Sequence, residues 1–166
     1  MPEKINALTD LTKGKNSLLS RQQIQSSDDN HQLEFVAEIN GVSYINDSKS
    51  IRLTATRNSL EQINSSVVLI IGGKEDDNDY SILAKQIKEK VVSIIYLGNN
   101  NDLIFQHYSK HYMLFAKAST INEAVQIASA YATPGSLVLF SPACESINYK
   151  NRGNEFKDVV KKLSAK

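Results

Sequence analysis

Three short stretches hold the residues whose types and spacing could do chemistry. Asn46-Asp47-Ser48-Lys49 gathers a carboxylate, a hydroxyl and an ammonium where a strand pattern gives way to a helix pattern. Backbone N–H groups at a helix start favour an anion, so this loop suits a phosphate or a nucleotide hydroxyl, with Asp47 and Lys49 facing the ligand. The bland alternative is that Asp47 or Ser48 caps the helix and Lys49 is solvated. Gly72-Gly73 closes a buried run and permits a ligand to approach the backbone, which is also ordinary turn chemistry. Glu75, Asp76, Asp77 and Asp79 could gather a hard cation, but they lack the spacing of an EF-hand, so a solvated acidic loop and no metal site is expected. Ser141-Pro142-Ala143-Cys144-Glu145-Ser146 leaves the last strand with small residues that allow a ligand near the chain. Cys144 has no Cys-x-x-Cys partner and reads as a small buried hydrophobe rather than a nucleophile. His31 reads as a surface residue. Neither G-x-x-x-x-G-K-[ST] nor G-x-G-x-x-G occurs in the chain.

The elements that must position these loops alternate along the chain. Residues 1–30 are polar, with scattered leucines and no sustained period, and are expected to form a mobile arm; residues 31–166 form the domain. Two β-rich runs flank Asn40-Gly41, a two-residue hairpin signal. The segment from Ser50 to Ile63 has helix composition, and Val67 to Gly73 is a β-branched run suited to a strand buried on both faces. DYSILAKQIKEK places Ile82, Leu83, Ile87 and Val91 at helical spacing behind the cap Asp79, and VVSIIYLG supplies another buried strand. A helix near Asp102 to Lys110, a strand YMLFA and the helix INEAVQIASAYA follow, the last with Thr120 and Glu123 as a capping box. Pro134-Gly135 stops that helix, LVLFSPA is the final strand, and NEFKDVVKKL is a terminal amphipathic helix. Such alternation predicts an α/β, Rossmann-like sheet of about six strands, mostly parallel, with helices on both faces and an antiparallel N-terminal hairpin. Ligands of such sheets bind beyond the C-terminal strand ends, where all three loops fall.

Composition excludes several classes. A formal net charge of +1 gives no field to attract nucleic acid or an anionic membrane. One cysteine rules out an intrachain disulfide and a cysteine-based zinc cluster, in keeping with a cytoplasmic location. No apolar run approaches the roughly 20 residues of a membrane span, and the first 20 residues lack the apolar core of a secretory signal.

Taken together, HQLEFVAEINGVSYINDSKS, VLIIGGKEDDNDYSIL and LVLFSPACESINYKNRGNEF resemble, in order and spacing, the C-terminal domain of Mur ligases, closest to the one that adds D-glutamate to UDP-N-acetylmuramoyl-L-alanine. The resemblance implies the amino-acid-binding domain of a three-domain, ATP-dependent ligase of peptidoglycan precursor synthesis. In such ligases another domain carries the P-loop, ATP phosphorylates the substrate carboxylate, and the amino group of D-glutamate attacks the acyl phosphate. By resemblance Asp47 sits at the nucleotide ribose, Lys49 beside the phosphates or the acyl phosphate, and Ser146 with Gly73 at the amino acid. ATP and Mg are implied only where a central ATPase domain completes the site, with the UDP-muramoyl substrate or the other ligase domains as partners.

The departures from the family pattern bear on activity. Gln32 stands where the family has arginine, Ser50-Ile51-Arg52 where it has Ala-Thr-Asn, and Asp76 where a lysine pairs with the glutamate carboxylate. The stretch before Arg152-Gly153 is also shorter. An alkyl chain and a like charge at two anchor positions weaken D-glutamate binding. The isolated chain is therefore expected not to catalyse, and the alternative is a stand-alone binding or interaction module that has lost the substrate site.

Overall fold

The computed structural model describes residues 31–72, 79–98, 102–110, 114–144 and 149–166. The polar segment 1–30 lies outside the described residues. Strand β1 (Glu34–Ile39) turns through Asn40 and Gly41 into β2 (Val42–Asn46). Both turn residues have positive φ, 52° and 76°, the geometry of a two-residue turn whose twist matches the strands and for which Asn-Gly is suited. The chain continues through α1 (Leu53–Gln62), β3 (Val67–Ile71), a 3-10 turn (Tyr80–Leu83) running into α2 (Ala84–Lys90), β4 (Val91–Leu97) and α3 (Asp102–Tyr108). Strand β5 (Phe115–Ala118), α4 (Ile121–Tyr131), β6 (Leu137–Phe140) and α5 (Tyr149–Ser164) complete it.

The six strands form one sheet in the order β1-β2-β6-β3-β4-β5, with β1 antiparallel and every other pairing parallel. This is the expected architecture. The run VVLII of β3 is wholly buried because alternate residues serve opposite layers: Val67, Leu69 and Ile71 pack with Leu60, Leu83 and Ile104, whereas Val68 and Ile70 pack with Val125, Phe156 and Val160. In the second layer the rings of Phe140 on β6 and Phe156 on α5 stack with centroids 5.1 Å apart.

Four boundaries differ from the sequence expectation, each for a tertiary reason. Helix α1 starts at Leu53 rather than Ser50, because Ser50 N–H closes a turn onto Asp47 O and Ser50 O accepts from Ala143 N–H. In the segment after Asp79 the first turn is 3-10, and Val91 belongs to β4. Strand β5 runs Phe115–Ala118, leaving out Leu114 and extending two residues past the expected end at Ala116, its register set by pairing Phe115 to Ala118 with Ile94 to Leu97; Tyr112 and Met113 lie outside the described residues. Helix α5 begins at Tyr149, five residues before the predicted start, and includes Gly153.

Capping follows the sequence closely. Asp79 accepts from Ser81 N–H at 3.0 Å, and Thr120 Oγ1 accepts from Glu123 N–H at 3.1 Å. The Glu123 carboxylate reaches back to Ser119 N–H, one residue beyond the expected partner. Thr120→Ala should cost about 1 kcal/mol, the size of a lost N-cap, read as a lower urea midpoint at unchanged slope. Thr120→Ser should keep most of that stability, and equal losses in both variants would show that the hydroxyl is not the cap.

Candidate functional site

The loops after β2, β3 and β6 meet at the C-terminal edge of the sheet and are stitched to one another. Asp47 N–H donates to Phe140 O at 2.8 Å, Ser141 N–H to Ile70 O at 3.0 Å, and Gly72 N–H to Pro142 O at 3.0 Å. Gly72 has φ of 140°, and a Cβ there would collide with the backbone of Leu97 on β4, so this close crossing requires glycine.

Asp47 is the centre of the assembly. Its side chain is fully enclosed, and its carboxylate accepts from Leu33 N–H at 3.1 Å and from Ser141 Oγ at 2.9 Å. The hydroxyls of Ser50 and Ser59 also serve it. Burial pushes the carboxyl pKa up, and these donors oppose that shift. A helix-capping role for Asp47 or Ser48 is excluded, since α1 starts at Leu53 and its N-cap residue, Arg52, makes no side-chain capping bond. The enclosed carboxylate is turned toward Leu33, Ser141, Ser50 and Ser59.

Lys49 is half-buried on the same loop. Its amide N–H donates to His31 O at 2.9 Å, and its carbonyl accepts from Ile51 N–H at 2.9 Å. Gly73, Ser146 and the acidic residues Glu75, Asp76 and Asp77 lie outside the described residues. Cys144 is buried as expected, its thiol donating to Gly72 O at 3.2 Å and lying 3.1 Å from Arg152 Nη1. Among the described residues no group of three or more His, Cys, Asp or Glu side chains could hold a metal ion. Within the same residues no helix is long and apolar enough to cross a membrane.

His31 corrects the sequence reading. It is buried, at 7% exposure, with φ of 75°, and its ring is packed against Asn46 with Nδ1 3.0 Å from Asn46 Nδ2. Burial, then the nearby Lys157, lowers its pKa, while Glu34 acts the other way. Sequence reasoning also missed Thr56, whose hydroxyl lies 2.8 Å from Ser141 Oγ. The signal was there: a threonine interrupts the buried stripe of α1 between Leu53 and Leu60.

Residues 31–144 match the family model described as Mur ligase, glutamate ligase domain. The chain belongs to the Mur ligase family. It is 37% identical over 139 residues to a UDP-N-acetylmuramoylalanine--D-glutamate ligase of Chlorobaculum parvum, covering 81% of this chain and 30% of that protein. It is 40% identical over 134 residues to the ligase of the same name in Acidobacterium capsulatum, covering 78% and 29%. The chain thus spans about three tenths of these curated Mur ligases. The fold is shared with the MurF ligase of Thermotoga maritima, solved in complex with ADP, at a TM-score of 0.53 and 10% identity over 81% of this chain and 32% of that one. The MurC ligase of the same organism superimposes with a TM-score of 0.50 at 14% identity, covering 82% and 31%. This Mur ligase domain covers the C-terminal part of such enzymes and not their ATP-holding part.

Proposed function

We propose that the chain serves as the amino-acid-binding domain of an ATP-dependent ligase that adds D-glutamate to UDP-N-acetylmuramoyl-L-alanine in the cytoplasm, and that it does not catalyse alone. The observation that carries this reading is the bond from Ser141 Oγ to Asp47, which joins the loops after β2 and β6 at the strand-end edge of a family-matched domain. In this reading Lys49 meets the phosphate or acyl phosphate, where an ammonium stabilises the charge carried by the oxygens. Asp47 acts by shaping that loop at the ribose side, and Gly73 and Ser146 face the amino acid. A P-loop from another domain holds the ATP and its Mg ion, so both belong to the completed enzyme. The UDP-muramoyl substrate approaches from that side, with its carboxylate phosphorylated before the amine attacks.

Ile51 and Asp76 favour a second reading, in which the fold serves as a binding or interaction module without D-glutamate. The two are separated by titrating the 166-residue chain with ATP, UDP-N-acetylmuramoyl-L-alanine and D-glutamate while following backbone amides of residues 46–52 and Gly72. ATP should shift these amides and show no hydrolysis. Lys49→Ala should weaken ATP binding by about 1.5–3 kcal/mol, the range for hydrogen bonds to charged groups, at nearly unchanged thermal stability. Shifts confined to another surface would sink both assignments, and silence at millimolar ligand would select the interaction module.

A further inference from the structure

A glycine inside a helix forgoes about 1 kcal/mol relative to alanine, and α5 accepts that loss at Gly153. The space a side chain would need is already occupied. A Cβ there would overlap both His31 Nδ1 and Ser48 Oγ, so only a hydrogen lets the helix approach this closely. Ser48 Oγ is enclosed at this spot without a hydrogen-bond partner among the described residues. Lys157 lies one helical turn further along the same face, and its ammonium donates to Glu34 Oε1 at 3.1 Å.

The contacts continue without a gap to the Lys49 loop. Glu34 Oε2 accepts from His31 N–H at 3.0 Å and from Asn46 Nδ2 at 2.9 Å. The same amide nitrogen lies 3.0 Å from His31 Nδ1. An amide nitrogen donates, so this contact is a hydrogen bond when Nδ1 accepts, which is the neutral ring with its proton on Nε2. Asn46 Oδ1 accepts from Ser48 N–H at 3.2 Å, and His31 O accepts from Lys49 N–H at 2.9 Å. Two successive loop amides are therefore held by His31 and by Asn46, and the Asn46 amide touches the His31 ring that rests against Gly153.

We propose that Gly153 and His31 are positioning residues for Lys49: the side-chain-free seat at Gly153 fixes the neutral His31 ring and Ser48, and thereby aims the Lys49 loop at its anionic ligand. The ligand half of this inference rests on the function proposed above; the positioning half stands without it. Neither residue needs to touch the ligand. Helix α5 is coupled to the loop through them, across most of the length of the domain's sequence.

The test uses the full 166-residue chain, isotope-labelled, comparing wild type with Gly153→Ala, Lys49→Ala and the double variant, and using ATP as the probe. In ligand-free Gly153→Ala the Lys49 amide should exchange with solvent about tenfold faster or more, while amides of β3 keep their protection. ATP binding should weaken by about tenfold or more, as for one lost charge-assisted hydrogen bond. In the Lys49→Ala background Gly153→Ala should add nothing, because both act through one group. A glycine that matters only for stability gives additive effects and leaves Lys49 protection in step with the whole domain, and either result overturns the proposal. If ATP fails to bind wild type, the function reading falls while the exchange comparison still decides the positioning.

Should Gly153→Ala not fold, an acid titration of wild type decides instead. The charged groups facing the His31 ring are Glu34 from β1 and Lys157 and Lys150 from α5, and burial with the two lysines holds its pKa below the usual histidine value. As pH falls through that lowered midpoint, a protonated Nδ1 can no longer accept from Asn46. The Ser48 and Lys49 amide signals should then move with the ring signal, and amides indifferent to the ring overturn the proposal.

Discussion

Phe156→Ala should destabilise the domain by about 3–5 kcal/mol, the range for removing a fully buried phenylalanine. The ring has no exposed surface and stacks at 5.1 Å on Phe140, which is equally enclosed in β6 between β2 and β3. The cavity would be walled by β6 on one side and by Val125 and Ala128 of α4 on the other, so closing it means shifting a helix or a central strand. Domains of this size are stable by about 5–15 kcal/mol, so the variant should unfold at a much lower urea concentration with an unchanged slope. Phe156→Leu keeps most of the volume and should cost less. A loss below about 1 kcal/mol for alanine would mean that α5 is not docked on the sheet as described.

The second large effect lies at Asp47, where two terms oppose each other. Removing the carboxylate in Asp47→Ala leaves Leu33 N–H without its acceptor and frees three hydroxyls. Some of these can pair among themselves, since Ser141 Oγ is 2.8 Å from Thr56 Oγ1 and Ser50 Oγ is 3.4 Å from Ser59 Oγ. Against that loss stands relief from burying the carboxyl. One orphaned buried amide and the lost hydroxyl bonds outweigh the relief, giving a net cost of about 1–3 kcal/mol, the range for a buried group left unsatisfied. Asp47→Asn retains one acceptor oxygen and should cost clearly less.

The pH dependence separates these terms. The folded-state pKa of Asp47 is raised, so its contribution to stability is fully present below the unfolded value and is lost as pH rises through the folded one. Glu34 is the opposite case: its folded pKa is lowered by its bonds from Lys157, Asn46 and His31 although burial opposes them, so its contribution is lost as pH falls. Wild type measured against Asp47→Asn cancels the Glu34 effect. Its relative stability should be greatest in acid and decline toward neutral pH, and a difference flat from pH 3 to 7 would show that the carboxyl is not perturbed.

The legible parts of the fold were those decided by local chemistry or by burial on both faces. Asn40-Gly41 needs positive φ at both residues whatever surrounds it, and the VVLII run of β3 suits a central strand by composition alone. Thr120 caps a helix because its neighbours supply the donor. What was not legible depended on residues far along the chain. The start of α5 was hidden because glycine argues against a helix interior, and only contact with His31 and Ser48 explains it. His31 reads as a surface residue in the sequence for the same reason, since the contact with α5 at Gly153 lies 122 residues along the chain. The Asp47–Lys49 loop was found by residue type, but the inward turn of the carboxylate requires Ser141, 94 residues away.

That separation has a consequence for synthesis on the ribosome. Strand β6 lies between β2 and β3, pairing with both, yet it is made after every other strand. Until it emerges, β2 and β3 have no bridge between them, and their apolar edges wait unpaired while the loop-closure entropy of a long-range pairing remains unmet. A nascent chain arrested before Leu137 is missing the middle of its sheet and exposes aggregation-prone strand edges. The three strand-end loops cannot assemble piecemeal, and the last strand delivered is the one that makes them a single surface.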